Sequence, residues 1–299
     1  MMRYRILVLL MSVFTAVFAQ PPEKSLWTLD LLLNYSVDPN ITYSVASNYE
    51  CRLDVYARNS TAGPVPTVLF IHGGGWVVLS KEVGNLYLLP WMEMGYSVVN
   101  VDYRLTKVAH APAAVEDCRI ALRWVIQHAK TYNFDTTRIV VTGMSAGGHL
   151  ALMTGMLDPA AGFDATTEWD ESSQTLRVAA VVNWYGITDV KDMLAGQNRR
   201  NYAVSWIGSQ ADPEKLAARV SPITYARKGL PPILTIHGTD DNFVPYSQAV
   251  RLHKALTEQG VQNQLLTIQG GHHGGFTREE MTRIYSVIRE FLKRNGLLP

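Results

Sequence analysis

The sequence predicts an α/β architecture, a mostly parallel central sheet covered by helices on both faces, and three observations carry that prediction. From Thr67 onward, short β-rich runs alternate with longer segments of helical period, the order that lays parallel strands side by side with helices across them. The β-rich runs are nearly continuous in apolar residues instead of alternating, as strands buried on both faces must be. The chain has 299 residues, enough to bury one large core.

The elements follow in order. Arg3 and Arg5 precede an uncharged stretch, Ile6 to Phe18, which closes on Ala19, a pattern that reads as a secretory signal peptide cleaved after Ala19. The apolar run is shorter than the roughly 18 residues of a membrane span, with an uncleaved anchor as the alternative. On this reading residues 20–299 form a single domain that is secreted or periplasmic. Ile41 to Val45 and Glu50 to Tyr56 predict an opening antiparallel pair. Thr67 to His72, Tyr96 to Val101, Arg138 to Gly143, Val178 to Trp184 and Ile233 to Gly238 predict buried strands, and Gln264 to Ile268 a last one.

Between the strands, Ala114 to Tyr132 places Ala114, Cys118, Ala121, Leu122, Val125 and Ala129 on one side at helical spacing, with Arg119 and Arg123 elsewhere. Ala146 to Leu157 predicts another helix. Thr277 to Arg294 predicts the last, with Met281, Ile284, Tyr285, Ile288 and Leu292 inward. Two stretches, Asp158 to Thr175 and Gly186 to about Leu230, break the alternation and read as excursions over one end of the sheet. The second, with Tyr202, Trp206 and Tyr225, predicts a small cap.

Composition narrows the function classes. The net charge is +1 and no basic run stands out, so nucleic acid and anionic membrane surfaces are not expected partners. Cys51 and Cys118 are either a disulfide or two buried thiols. No metal-ligand spacing appears and G-x-G-x-x-G is absent, so no cofactor is expected; the oligomeric state is not legible.

The residues that carry chemistry begin with Gly143-Met-Ser145-Ala-Gly147, a G-x-S-x-G between a buried strand and a helix. Glycines flank the serine because the strand-to-helix turn is tight, and the helix N-terminus favours a developing negative charge. Upstream, His72-Gly73-Gly74-Gly75-Trp76 follows the first core strand, where unshielded backbone N–H groups can face an oxyanion. A serine nucleophile needs a base and an orienting acid, which in this chain order follow as acid, then histidine. Asp240 and Asp241 follow the strand Ile233 to Gly238, at the strand end where such sheets place their sites. His272 and His273 lie in a glycine-flanked loop after the last strand. His149, His237 and His253 read as structural, and Asp189 as a capping or loop residue. Trp76, Trp184 and Trp206 are candidates for a substrate pocket or for core packing.

These motifs, with DYRL at 102–105, AVEDCRIALRWV at 114–125, HGTDDNFVP at 237–245 and GGHHGGF at 270–276, resemble the hormone-sensitive-lipase-like and bacterial feruloyl and acetyl-xylan esterase-like (BD-FAE-like) branch of the α/β-hydrolases. The resemblance implies an α/β-hydrolase fold with Ser145 as nucleophile, Asp241 as acid, His273 as base, and the N–H groups of Gly74, Gly75 and Ala146 as oxyanion hole. It further implies a serine esterase acting on short-acyl or aryl esters, acetyl or feruloyl in type. A dipeptidyl-peptidase-like or arylformamidase-like hydrolase is the alternative on the same scaffold, and a non-catalytic binding protein a further one.

Overall fold

The computed structural model describes residues 23–59, 62–164 and 176–299. The predicted leader, 1–19, and much of the first excursion lie outside the described residues. An eight-stranded sheet in the order β1-β2-β4-β3-β5-β6-β7-β8 forms the centre. β1 (Tyr35–Ala46) and β2 (Tyr49–Arg58) are the expected antiparallel pair. Ser47 and Asn48, both at positive φ, make the two-residue turn that joins them. β2 runs antiparallel to β4 (Ser97–Val101). β3 (Val65–Ile71), β4, β5 (Phe134–Met144), β6 (Ala180–Trp184), β7 (Ile233–Gly238) and β8 (Asn263–Ile268) are mutually parallel.

Every residue of β3, β4, β6 and β7 is buried, which is why these runs carry no polar alternation. The pleat sends alternate residues to two cores. Leu69, Ile71, Val99, Val141 and Val181 pack with α3 (Ala113–Gln127), α5 (Ala146–Met156) and α8 (Tyr246–Glu258). Val68, Phe70, Val98, Val140 and Val182 pack with α2 (Asn85–Glu93) and α9 (Arg278–Arg294). Helices thus cover both faces. Thr277 caps α9 through a reciprocal pair with Glu280, fixing its start one residue after the expected boundary.

Three details differ from the sequence reading. α1 (Glu23–Asn34) has no counterpart in it, because its leucines Leu26, Leu29, Leu32 and Leu33 stay largely exposed and set no buried period. The helix expected over Ala114 to Tyr132 stops at Gln127; a single further turn, α4 (Ala129–Tyr132), ends on Asn133 in the left-handed region. Arg119 and Arg123, assigned to the polar side of that helix, are buried, because Asp164 pairs with both guanidinium groups. Cys51 and Cys118 are free buried thiols, and burial pushes Cys51 up to about 12. Among the described residues no helix is long and apolar enough to cross a membrane. Between β6 and β7, two short helices, α6 (Asn201–Ile207) and α7 (Pro213–Arg219), form the small cap at the end of the sheet where β3, β5 and β6 deliver their loops.

Candidate active site

β5 ends on Met144, and Ser145 stands at φ 57 and ψ −119, a backbone region that costs a non-glycine residue on the order of 1–3 kcal/mol. The turn is held by the Ser145 N–H, which donates to the Trp184 carbonyl at 2.9 Å, and by His149 N–H donating back to the Ser145 carbonyl at 3.0 Å. The glycine of the pattern is required by contact: a Cβ at Gly147 would lie 2.1 Å from the Ile71 carbonyl oxygen. α5 starts at Ala146, so its first-turn N–H groups lack helical partners beside the serine.

The glycine loop after β3 lies against this turn. Tyr103, from the DYRL run, stacks on the His72 ring at 4.4 Å and donates its hydroxyl to the carbonyls of His72 and Gly73, each at 3.2 Å. His72 Nδ1 donates to the Gly73 carbonyl at 2.7 Å. Gly74 has φ +109, and its carbonyl accepts from Val77 and Val78 N–H, which closes the loop into a turn. Arg104 of the same run is locked on Asp117, which explains why DYRL and the α3 sequence occur together.

On the opposite side, His273 Nε2 is 2.8 Å from Ser145 Oγ, and His273 Nδ1 is 2.7 Å from Asp241 Oδ2. With a carboxylate on Nδ1, that nitrogen carries the proton and Nε2 presents the lone pair that accepts from the serine hydroxyl. Asp241 Oδ1 accepts from the N–H groups of Phe243, at 2.8 Å, and Val244, at 2.9 Å. Burial alone would raise the Asp241 carboxyl, but hydrogen bonds from His237, His273 and Val244, with the charge on His273, outweigh it and hold the group well below the usual carboxylate range. Of the two doubled candidates the structure brings Asp241 and His273 to Ser145. Asp240 is exposed, and His272 turns outward with Nδ1 on the Asp240 carbonyl at 3.0 Å. His149 donates through Nε2 to the Val220 carbonyl, and burial lowers it to about 4. Asp189 caps the N–H of Asp192 and pairs with Arg251.

A cavity of about 470 Å³ opens over Ser145, lined by Gly73, Gly74, Gly75, Val77, Val78, Leu79, Val83, Tyr87, Met144, Tyr185, Tyr202, Phe243 and His273. None of these side chains is acidic, lysine or arginine. The three tryptophans offered as pocket candidates do not line it. Trp76 and Trp206 stack on each other at 4.1 Å beneath the cap, edge-on to His149, and Trp184 packs on Tyr285 behind the sheet. Large aromatics gain most where fully buried, so here the core took them. The wall is built from Tyr185, Tyr202 and Phe243, which the sequence reading did not assign to it. Tyr185 directly follows β6 at its C-terminal end, a position that could have flagged it. The His273 ring sits between Tyr185 at 4.6 Å and Phe243 at 5.2 Å.

The chain is similar to known esterases in sequence and in fold. The BD-FAE family model matches residues 53–256, more than half of the chain. Esterase LipC of Mycobacterium tuberculosis is 30% identical over an alignment covering 74% of this chain and 56% of LipC. The chain spans about half the length of the curated relatives it matches. Among solved structures, a truncated carbohydrate esterase from gut microbiota is 27% identical with a TM-score of 0.69, covering 86% of this chain and 96% of its own. The propionate-bound esterase Est2 of Thermogutta terrifontis is 26% identical with a TM-score of 0.73, covering 89% of this chain and 96% of its own.

Proposed function

This chain belongs to the BD-FAE family of α/β-hydrolases, and from that premise we propose that it is a carboxylic ester hydrolase working through Ser145, His273 and Asp241. The observation that carries the reading is the unbroken hydrogen-bond chain from Ser145 Oγ through the His273 imidazole to Asp241, 2.8 Å and then 2.7 Å. Ser145 Oγ attacks the ester carbonyl carbon while His273 Nε2 takes its proton. Asp241 keeps the Nδ1–H tautomer and supports the imidazolium charge. The carbonyl oxygen, now negative, is held by the N–H groups of Gly74, Gly75 and Ala146, each worth about 3–4 kcal/mol in comparable sites. The imidazolium then protonates the departing alcohol as the C–O bond breaks, leaving an acyl-enzyme on Ser145. Water, deprotonated by His273, attacks that acyl carbon, and the acid leaves.

The uncharged, largely apolar cavity suits a small neutral ester with a short acyl or aryl acid, and a similar esterase holds propionate. We place the activity in a single domain, residues 20–299, exported by the 1–19 leader. The test is labelling of the purified protein by a fluorophosphonate with Ser145→Ala as control, followed by a panel of aryl acetates, methyl ferulate, acetylated xylan and peptide anilides. We expect labelling of the wild type alone and turnover of the small esters. A wild type that takes no label, or that cleaves only the anilides, overturns the reading.

A further inference from the structure

We propose that His237 is a positioning residue for this site, presenting its Nε2–H to the Asp241 oxygen that also holds His273 and thereby setting how much of that carboxylate's charge His273 receives. The proposal rests on the triad reading above.

His237 lies next to last in β7 and is wholly buried. Its Nε2 is 3.0 Å from the Val244 carbonyl oxygen and 3.2 Å from Asp241 Oδ2. Both neighbours are acceptors, so Nε2 must carry the proton, which it donates to the Val244 carbonyl while facing Asp241 Oδ2. Nδ1 of the same ring is buried with no hydrogen-bond partner. A proton there would be a buried, unpaired donor, so Nδ1 keeps its lone pair and the imidazole is neutral. Tyr246 meets the ring edge-on at 5.8 Å and fixes its plane.

The carboxylate of Asp241 is therefore held at both oxygens. Oδ1 accepts two backbone N–H groups of its own turn, and Oδ2 accepts from His273 with His237 Nε2 facing it at 3.2 Å. The spacing does this by itself: residues 237, 241 and 244 are the strand end, the acid and the far end of one turn, and the His237 ring spans all three. Two consequences follow. Without His237, Oδ2 is restrained by His273 alone, so the carboxylate gains freedom to rotate. A neutral donor also draws on the negative potential of Oδ2, so removing it leaves the carboxylate more negative toward His273 and favours the imidazolium.

Other ionisable groups near the carboxylate do not account for such an effect. Tyr185 packs on His273, Tyr202 donates its hydroxyl to the Phe243 carbonyl at 2.8 Å, and burial raises both phenols. Arg200 donates to the carbonyls of Phe243 and Asn242 and stays charged. His272 bonds to the Asp240 carbonyl on the exposed side, an arrangement shared by wild type and variant.

The experiment is the pH dependence of kcat/KM with p-nitrophenyl acetate for the full chain, His237→Phe and His237→Gln, with thermal unfolding of each. His237→Phe, which has no donor, should move the acid limb up by about 0.5 pH unit and lower the plateau roughly 3- to 30-fold, mainly in kcat. His237→Gln, which keeps an N–H, should return the limb toward the wild type. An unmoved limb in His237→Phe, with activity falling only in step with thermal stability, makes His237 a packing residue and overturns the proposal. Should His237→Phe not fold, 15N NMR of the wild-type imidazole decides: the neutral Nε2–H tautomer supports it and an Nδ1–H tautomer overturns it. A wild type that neither hydrolyses ester nor takes fluorophosphonate fails at the triad itself, whereas an active wild type with an unmoved limb fails at His237 alone.

Discussion

On the side of Ser145 that faces the glycine loop, the cavity is lined by Gly73, Gly74 and Gly75, main chain held in place by turns. On the side that faces the loops after β7 and β8, the lining is side chains held by hydrogen bonds. The first side has little to delete, since Gly73, Gly74 and Gly75 carry no side chains. It is broken by adding atoms: a Cβ on Gly74 would lie 2.0 Å from the Val78 carbonyl oxygen. The second side is broken by removing atoms, because Asp241 and His273 make their contacts through the lone pairs and protons at their tips. The two halves of one site therefore answer to opposite kinds of substitution.

The largest expected effect lies on the side-chain half and separates two adjacent histidines. His273→Ala should lower kcat on an aryl acetate by on the order of 10⁴- to 10⁶-fold, as loss of the base does in comparable triads. His272→Ala should stay within about threefold, a surface-type change, because His272 bonds only to the Asp240 carbonyl and faces outward. Steady-state kinetics, with thermal unfolding to confirm that both variants fold, make the measurement. A deeper loss in His272→Ala than in His273→Ala would reverse the geometry described for this half.

That contrast also marks what was legible in the sequence. The parallel sheet could be read because its strands are buried on both faces and so lack polar interruption, and Gly74, Gly143 and Gly147 could be read because a Cβ at each would collide with backbone. The adjacent pairs could not be resolved by spacing. Asp240 and Asp241, or His272 and His273, differ by one residue, and only the fold decides which of each points inward. The cavity wall was hidden for another reason. Tryptophans at 76, 184 and 206 were the conspicuous aromatics, yet their size sent them into the core, while Tyr185 and Phe243 took the wall from loop positions and Tyr202 from the short helix α6, too brief to show a period. His237 was legible only as the end of a buried strand, since its contact with Asp241 arises from the turn that follows.

On the backbone half, Gly74→Ala should cost on the order of 10²- to 10³-fold in kcat, the scale of losing one oxyanion donor. The added methyl must displace Val78 or turn the loop out of φ +109, and either change moves the neighbouring N–H groups. Labelling by a fluorophosphonate should persist at a reduced rate, because Ser145, His273 and Asp241 are untouched. If Gly74→Ala keeps wild-type kcat, the amides of this loop are not the oxyanion donors, and the helix N-terminus at Ala146 must carry that load.

The smallest expected effect tests whether the two halves are mechanically joined. Tyr202 touches both: a Cβ on Gly75 would lie 3.0 Å from the Tyr202 side chain, while the Tyr202 hydroxyl donates to the Phe243 carbonyl, whose own N–H donates to Asp241. Tyr202→Phe removes only the link to the acid turn and keeps the ring against the glycine loop. One neutral hydrogen bond is worth about 0.5–1.5 kcal/mol, and this one is partly open to water, so a loss of about two- to fivefold in kcat/KM is expected. Tyr202→Ala, which also releases the glycine loop, should lose more and should do so in kcat. If Tyr202→Phe matches the wild type while Tyr202→Ala falls steeply, the ring against Gly75 joins the halves and the hydroxyl does not. If both match it, the glycine loop and the acid turn are positioned independently, each by its own half of the sheet.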